Sequence, residues 1–324
     1  MLMKIAIFDV DAEKKTFFEK ILGEIDVQYS SQEFTQEMAE KNCDCEILAI
    51  RINSKISSEI LEKMPNLKCI ATQSTGFDHI DIEACRKRNV AVCNVPLYGE
   101  YTVAEHTFAL ILALSRNVHK SYVRTIKGDF STEGLQGFDL QGKTLGVVGT
   151  GHIGLHVIRI AKAFSMKVVA FDVLENNFLA DVLGFSYCSF DEVLENSDII
   201  TLHVPHSVHT HHMINSESIQ KIKPGALLVN TARGGVVDTK ALIQALDEKI
   251  LAGAALDVIE KEEKILHSEK NEEIIKNHPL LFRDNVVFTP HIASQSKEAQ
   301  QKILQTTAEN ILNFIAKKPS NLLS

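Results

Sequence analysis

Three side chains suited to acid–base chemistry follow three apolar runs late in the chain: Arg233 after LLVNTA, Glu262 shortly after GAALDV, and His291 after NVVFTP. A guanidinium holds a carboxylate through two parallel hydrogen bonds, a charge-assisted contact contributing roughly 1.5 to 3 kcal/mol. An imidazole is the side chain whose ordinary pKa lies nearest neutrality, so it suits proton exchange with a hydroxyl or carbonyl oxygen. Singly, each has a plainer explanation. Arg233 could pair with a surface acid, Glu262 lies in the charged run 260–264, and His291 could be a capped core histidine. Their shared position groups them: each stands beyond the carboxyl end of a strand-like run, where open α/β sheets bind ligands.

The element that organises those strands begins at Lys143. The segment KTLGVVGTGHIGLHVIRIAKAFSMKVVAFD opens with an apolar run, Leu145 to Val148, and continues with Gly149, Gly151 and Gly154 in the spacing G-x-G-x-x-G. Helical periodicity follows from Ile153 to Phe164, and a second strand-like run, Lys167 to Phe171, closes on Asp172. Three glycines alone are weak evidence; between a strand and a helix, with an acid at the next strand's end, they are the pattern of a dinucleotide site. Gly149 allows the tight turn, Gly151 lets backbone approach a pyrophosphate, and Gly154 lets helix and sheet pack closely. The pyrophosphate then sits at a helix N-terminus, whose N–H groups favour an anion. Asp172 is placed to accept from ribose hydroxyls and to repel a 2′-phosphate. Val173 to Asn177 contain no Arg or Lys to receive that phosphate, so NAD is expected rather than NADP.

Strand-like and helix-like runs alternate on both sides of this unit, which implies parallel sheets with helices on both faces. The expected fold class is α/β, with two doubly wound parallel-sheet domains, Rossmann-like and flavodoxin-like, separated by a cleft. Residues 1–98 plus 296–324 form the expected discontinuous substrate domain, and residues 99–295 the NAD-binding domain. The final helical run, 296–317, is thus expected to return to the first domain, and the two crossings to form a hinge. A long helix over 101–118 is apolar on more than one face and is expected to bury itself against a subunit partner or at the domain junction. Residues 120–142 read as a surface excursion, Ser216 to Lys221 as a helix, and 260–276 as a polar segment.

The 324 residues carry a net charge of −8 with no Lys/Arg-rich block, so neither nucleic acid nor an acidic membrane has an electrostatic footprint here. The longest apolar stretch, Phe108 to Leu114, is far short of the roughly 20 residues of a membrane span. The N-terminus lacks the long apolar core of a secretory signal and reads as a first strand. Six cysteines without C-x-x-C spacing read as reduced thiols of a cytoplasmic protein. The histidine-rich stretch 203–212 invites a metal reading, but no helical i, i+4 context presents two rings together, and none is expected.

Four motifs in order, Val147–Gly154, Asn230-Thr231-Ala232-Arg233-Gly234-Gly235, Ala255-Leu256-Asp257-Val258 with Glu262 beyond it, and Thr289-Pro290-His291-Ile292-Ala293, resemble those of the D-isomer-specific 2-hydroxyacid dehydrogenases. The resemblance spans nearly the whole chain. It implies hydride transfer between nicotinamide C4 and substrate C2, with Arg233 orienting the 2-oxo acid, His291 protonating its oxygen and Glu262 holding His291. It also implies cofactor contacts from Gly149, Thr150, Gly151, His152, Ile153, Gly154, Asp172, His203, Val204, Pro205, Thr231, Ala232 and Asp257, the last near the nicotinamide carboxamide. Backbone N–H groups of Thr75 and Gly76 are implied as a second grip on the carboxylate, with Tyr98 lining the pocket. Val95–Tyr98 and Val103–His106 resemble the D-lactate dehydrogenase branch, whereas Ser294-Gln295 replace the aromatic residues that branch often carries after the histidine motif. D-Lactate/pyruvate is therefore the first expectation, with glyoxylate/hydroxypyruvate reduction or phosphoglycerate oxidation as alternatives. An NAD-sensing interaction protein like the C-terminal-binding-protein corepressors is the alternative of another class. A homodimer and a small-molecule 2-oxo or 2-hydroxy acid partner complete the expectations.

Overall fold

A computed structural model describes residues 3–262 and 278–323, which leaves most of the polar segment 260–276 outside the described residues. The chain divides into two compact units, residues 1–98 with 296–324, and residues 99–295.

The first unit holds five parallel strands, β1 (Ile5–Ile7), β2 (Val27–Tyr29), β3 (Ile47–Ile50), β4 (Cys69–Thr72) and β5 (Ala91–Cys93), in the order β2-β1-β3-β4-β5. Helices α1 (Ala12–Leu22), α2 (Gln36–Lys41), α3 (Ser58–Glu62) and α4 (Ile82–Lys87) connect them, and the last helix of the chain, Lys297–Ile315, joins this unit. Alternate strand residues point to opposite faces. Ala6, Leu48, Ile50, Ile70 and Val92 therefore pack on one side with Phe34 and Leu61, while Ile5, Ile7, Ile47, Ala49 and Cys93 meet Phe18 and the last helix's Leu304, Ala308 and Ile311 on the other.

The second unit begins with α5 (Glu100–Ser115) and α6 (Val118–Ile126) and continues β6 (Thr144–Val148), α7 (His152–Ala163), β7 (Lys167–Phe171), α8 (Asn177–Leu183), β8 (Ser186–Tyr187), α9 (Phe190–Asn196), β9 (Ile199–Leu202), β10 (Ala226–Asn230), α10 (Thr239–Asp247), β11 (Leu251–Leu256) and β12 (Val286–Phe288). Its strands are parallel in the order β12-β11-β10-β9-β6-β7-β8. The order reverses direction between β6 and β9, the topological switch point at which such sheets bind dinucleotides. Leu145 and Val147 of β6 pack with Phe108 and Ile111 of α5 and Val157 and Ile158 of α7; Val148 faces the opposite core with Leu202, Leu228 and Leu256.

The helix expected over 101–118 ends earlier, at Ser115. Asn117 takes a left-handed backbone with φ of 51°, and its amide donates to the carbonyls of Leu135 and Gln136. Asparagine is among the few residues that occupy this conformation at low cost. The chain turns there into α6, so the stretch 120–142 is helical at its start rather than wholly a surface loop. The helix expected at 216–221 is a 3-10 turn over Ser218–Lys221. Four of the cysteines, Cys45, Cys69, Cys85 and Cys93, are buried, and all six are unpaired thiols. Among the described residues no helix is long and apolar enough to cross a membrane.

Candidate active site

The switch point is built at backbone level. The His203 N–H donates to the Val148 carbonyl at 2.7 Å, tying the end of β9 to the end of β6. Gly149 has φ of 95°, and a Cβ there would lie 2.7 Å from the His203 oxygen; one at Gly154 would lie 2.0 Å from the Gly149 oxygen. Both positions exclude any larger residue through packing within the chain. Gly151 differs: a Cβ there would meet nothing within 4 Å, so its side is open. No side chain caps the N-terminus of α7, which begins at His152 with Ile153 behind it. An open face against uncapped helix amides fits a pyrophosphate.

Asp172 closes β7 beside this turn. Its Oδ2 accepts from the Thr150 N–H at 2.6 Å and the Thr150 hydroxyl at 3.0 Å, and its Oδ1 from the Leu174 N–H at 3.0 Å. Partial burial favours the neutral carboxyl, but these donors together outweigh it and hold Asp172 below the usual carboxylate range. A fixed negative charge at this point suits ribose hydroxyls and opposes a 2′-phosphate. These groups fit NAD. Burial pushes the imidazole of the half-buried His203 down to about 3 and keeps it neutral, paired with the Thr201 hydroxyl at 2.9 Å. Val204 is half-buried and Pro205 exposed.

Arg233, Glu262 and His291 follow three adjacent strands, β10, β11 and β12, at their carboxyl ends. His291 Nδ1 lies 2.6 Å from Glu262 Oε1, and Glu262 Oε2 accepts from the Ile259 N–H at 3.1 Å. A carboxylate only accepts, so Nδ1 carries hydrogen, and Nε2 is the nitrogen left to exchange a proton. No described residue bonds His291 Nε2. Arg233 is half-buried, with Nη1 donating to the Ala232 carbonyl at 2.8 Å. The turn carrying it is shaped by Asn230, whose Oδ1 accepts from the Ala232 N–H and whose Nδ2 donates to the Arg233 carbonyl.

Asp257, only 1% exposed, shapes the histidine loop. Its Oδ1 accepts from the Thr289 hydroxyl at 2.6 Å and the Ile292 N–H at 2.9 Å, its Oδ2 from the Ala293 N–H at 2.8 Å, and His106 Nε2 lies 3.4 Å away. Burial opposes the charge, but His106, Thr289, Ala293 and Ile292 outweigh it and keep the carboxyl below its usual range. The grip holds His291 in a left-handed conformation, φ of 54°, with its own N–H donating to the Asp257 and Thr289 carbonyls. Such a conformation costs roughly 1–2 kcal/mol for a non-glycine residue and persists where the surroundings over-determine it. Thr107 on α5 likewise meets the Thr231 hydroxyl at 3.0 Å.

The structure thus brings the glycine turn, Asp172 and the 203–205 loop to one region of the second unit, and Glu262, His291 and Asp257 into direct contact. Thr75 and Gly76 lie in the loop after β4 of the first unit, Thr75 exposed and Gly76 half-buried; Tyr98 is half-buried at that unit's end. The histidine-rich stretch forms a chain, His206 Nε2 to His211 Nδ1 at 3.1 Å, His211 stacked on His212, and His212 Nε2 on Glu260 Oε1 at 2.7 Å. Among the described residues no group of three or more His, Cys, Asp or Glu is arranged to hold a metal ion. Sequence reasoning gave no structural part to His106, Thr107 or Thr289, because hydroxyl and imidazole partners more than a hundred residues apart leave no spacing signal.

Residues 108–293 match the family described as D-isomer specific 2-hydroxyacid dehydrogenase, NAD binding domain. A 2-hydroxyacid dehydrogenase homolog of Haemophilus influenzae is 36% identical over 95% of this chain and 95% of its own length. A glyoxylate reductase of Thermofilum pendens is 39% identical over 86% of this chain and 80% of its own. Among solved structures, D-lactate dehydrogenase from Aquifex aeolicus complexed with NAD and lactic acid superposes with a TM-score of 0.87 at 36% identity, covering 97% of this chain and 96% of that one.

Proposed function

The chain belongs to the D-isomer-specific 2-hydroxyacid dehydrogenases, and from that premise we propose that it reduces a small 2-oxo acid to the D-2-hydroxy acid, with pyruvate as its first substrate. The observation that carries this reading is the His291–Glu262 pair at 2.6 Å, which leaves Nε2 as the one ring nitrogen able to serve a substrate oxygen. Bound NADH supplies the hydride. His291 Nε2–H gives its proton to the developing alkoxide, and the Glu262 carboxylate steadies the imidazolium before transfer and fixes its tautomer after it. The Arg233 guanidinium orients the substrate carboxylate and polarises the oxo group, and the Thr75 and Gly76 N–H groups add a second grip, with Tyr98 bordering the pocket. Thr150, His152 and Ile153 with the three glycines take the pyrophosphate, and Asp172 takes the ribose. His203, Val204, Pro205, Thr231, Ala232 and Asp257 enclose the remainder of the cofactor.

The relative from Thermofilum pendens and the small polar pair Ser294-Gln295 after the histidine loop support a second substrate, glyoxylate. The test is NADH oxidation against pyruvate, 2-oxobutyrate, phenylpyruvate, 2-oxoisocaproate, glyoxylate, hydroxypyruvate and phosphohydroxypyruvate. The highest kcat/KM is expected for pyruvate; tight NADH binding with no turnover on any of them would sink the dehydrogenase reading in favour of a binding protein.

A homodimer is part of the same proposal. Helix α6 buries none of its residues within the chain, and Val118, Tyr122, Val123 and Ile126 stand exposed on it, an apolar face of the kind that marks an interface. Sedimentation at twice the chain mass is expected, and a monomer would refute it. Buried thiols such as Cys69 and Cys85 favour a cytoplasmic location, testable by cell fractionation.

A further inference from the structure

The loop that carries Thr75 and Gly76 is clamped from behind by a buried polar chain that ends in the last helix. Val95 N–H donates to the Ser74 carbonyl at 3.0 Å, and Asn94 Nδ2 donates to the Thr75 carbonyl at 2.8 Å. All peptides here are trans, so each carbonyl and the N–H of the same peptide point in opposite directions. Pinning the Ser74 carbonyl turns the Thr75 N–H outward; pinning the Thr75 carbonyl does the same for Gly76. The Ser74 hydroxyl donates to the Gly76 carbonyl at 2.7 Å and locks the third peptide, and no described residue accepts from either amide. Two successive N–H groups aimed the same way form an anion-binding nest.

The Asn94 backbone is itself held at two points. Asn310 in the last helix, fully buried, donates through Nδ2 to the Asn94 carbonyl at 2.8 Å. The Asn94 N–H donates to the Asn321 carbonyl, and Leu323 N–H to the Val92 carbonyl, so residues 321–323 run as a strap along β5. Asn310 Oδ1 accepts from the Ser320 hydroxyl at 3.1 Å and from Asn321 Nδ2 at 2.8 Å, which fixes its amide with nitrogen toward Asn94. The last helix, the strap and the nest are thereby one hydrogen-bonded assembly.

We propose that Asn94 is a positioning residue for substrate binding: gripping the Thr75 carbonyl, it presents the Gly76 N–H to the carboxylate of the 2-oxo acid, and Asn310 with the 320–323 strap holds Asn94 in that pose. The inference rests on the dehydrogenase reading above. It assigns to a helix far along the chain a part in how tightly substrate is held, with no contact to substrate of its own.

Asn94→Asp is the direct test. It preserves shape but sets a carboxylate oxygen against the Thr75 carbonyl, so the peptide turns and its N–H is withdrawn. KM for pyruvate and Kd for oxamate are expected to rise about tenfold or more, the loss of one charge-assisted hydrogen bond, with kcat less affected and the NADH Kd unchanged. Asn310→Asp removes the donor to Asn94 and keeps the oxygen that accepts from Ser320 and Asn321 of the strap; a smaller rise in the same direction is expected. If Asn94→Asp does not fold, Asn94→Ala serves, losing the grip without the repulsion. A residue of merely structural importance would lower Tm and leave KM unmoved, and that result would overturn the clamp while the unsubstituted enzyme still turned over pyruvate. Absence of turnover on every 2-oxo acid by the unsubstituted enzyme would overturn the dehydrogenase reading, and the clamp's role with it.

Discussion

Replacing Glu262 by Gln tests the acid–base pair with almost no change in shape. In the structure the carboxylate satisfies two donors at once, His291 Nδ1–H through Oε1 and the Ile259 N–H through Oε2. An amide has one acceptor oxygen. If that oxygen faces His291, its NH2 group collides with the Ile259 N–H; if it faces Ile259, the NH2 group points at Nδ1 and forces the other tautomer. In the second arrangement Nε2–H can still bond the substrate oxygen, but giving up its proton would leave an imidazolate. Either way a charge-assisted hydrogen bond is lost between side chains only 23% and 19% exposed, where solvent screens little. That interaction is worth roughly 1.5 to 3 kcal/mol, or about 10- to 150-fold in rate. Steady-state NADH oxidation with pyruvate should therefore show kcat reduced by about that factor, with NADH binding by fluorescence unaltered. Should Glu262→Gln keep kcat within about threefold of the parent, the pair does not transfer the proton, and another group must be sought.

Asp172→Ala combined with Val173→Arg should raise the NADPH-to-NADH ratio of kcat/KM by about tenfold or more, since a ribose acceptor is exchanged for a phosphate partner; an unmoved ratio would remove Asp172 from cofactor selection. Gly151→Ala and Gly154→Ala should separate binding from folding. The first places a methyl in open space at φ of −66° and should weaken NADH binding with Tm preserved, whereas the second drives a Cβ to 2.0 Å from a backbone oxygen and should lower Tm sharply; equal Tm values in calorimetry would contradict the packing described. Asp257, held below its usual range, contributes stability that is fully present above its unfolded pKa, about 3.9, and fades as pH falls through the lower folded value. The stability gap between the parent and Asp257→Asn in urea titrations should thus be wide at about pH 6 and narrow at about pH 3, and a constant gap would show that the carboxylate is not the source.

The parallel sheets were legible because strands buried on both faces are continuous apolar runs, and because such runs and helical patterns alternate from Lys4 to Val95 and again from Thr144. The NAD turn was legible because its chemistry is local: glycines, helix start and Asp172 fall within one βαβ unit. What escaped was of two kinds. The break at Asn117 depends on one residue's backbone, and neither glycine nor proline marks it in the sequence. The supports of the site depend on partners far apart in sequence: His106 with Thr289, Asn94 with Asn310, Asp257 with Ala293. A polar side chain in a strand loop carries no mark of the group it will meet, so Asp257 could be read from the motif it resembles but not for the four donors it gathers.

The strap over residues 321–323 has a consequence unrelated to substrate. β5 is the outermost strand on its side of the five-stranded sheet, and an exposed row of apolar strand backbone is a template for pairing with another chain. By bonding Val92 and Asn94 antiparallel to a parallel sheet, the strap occupies that row and ends the sheet with a segment of opposite direction. The few residues after the last helix therefore guard this edge against strand pairing with another chain. Chains shortened before residue 319 should scatter light on concentration even where their secondary structure is retained, and clear solutions of such chains would show that the edge needs no cover.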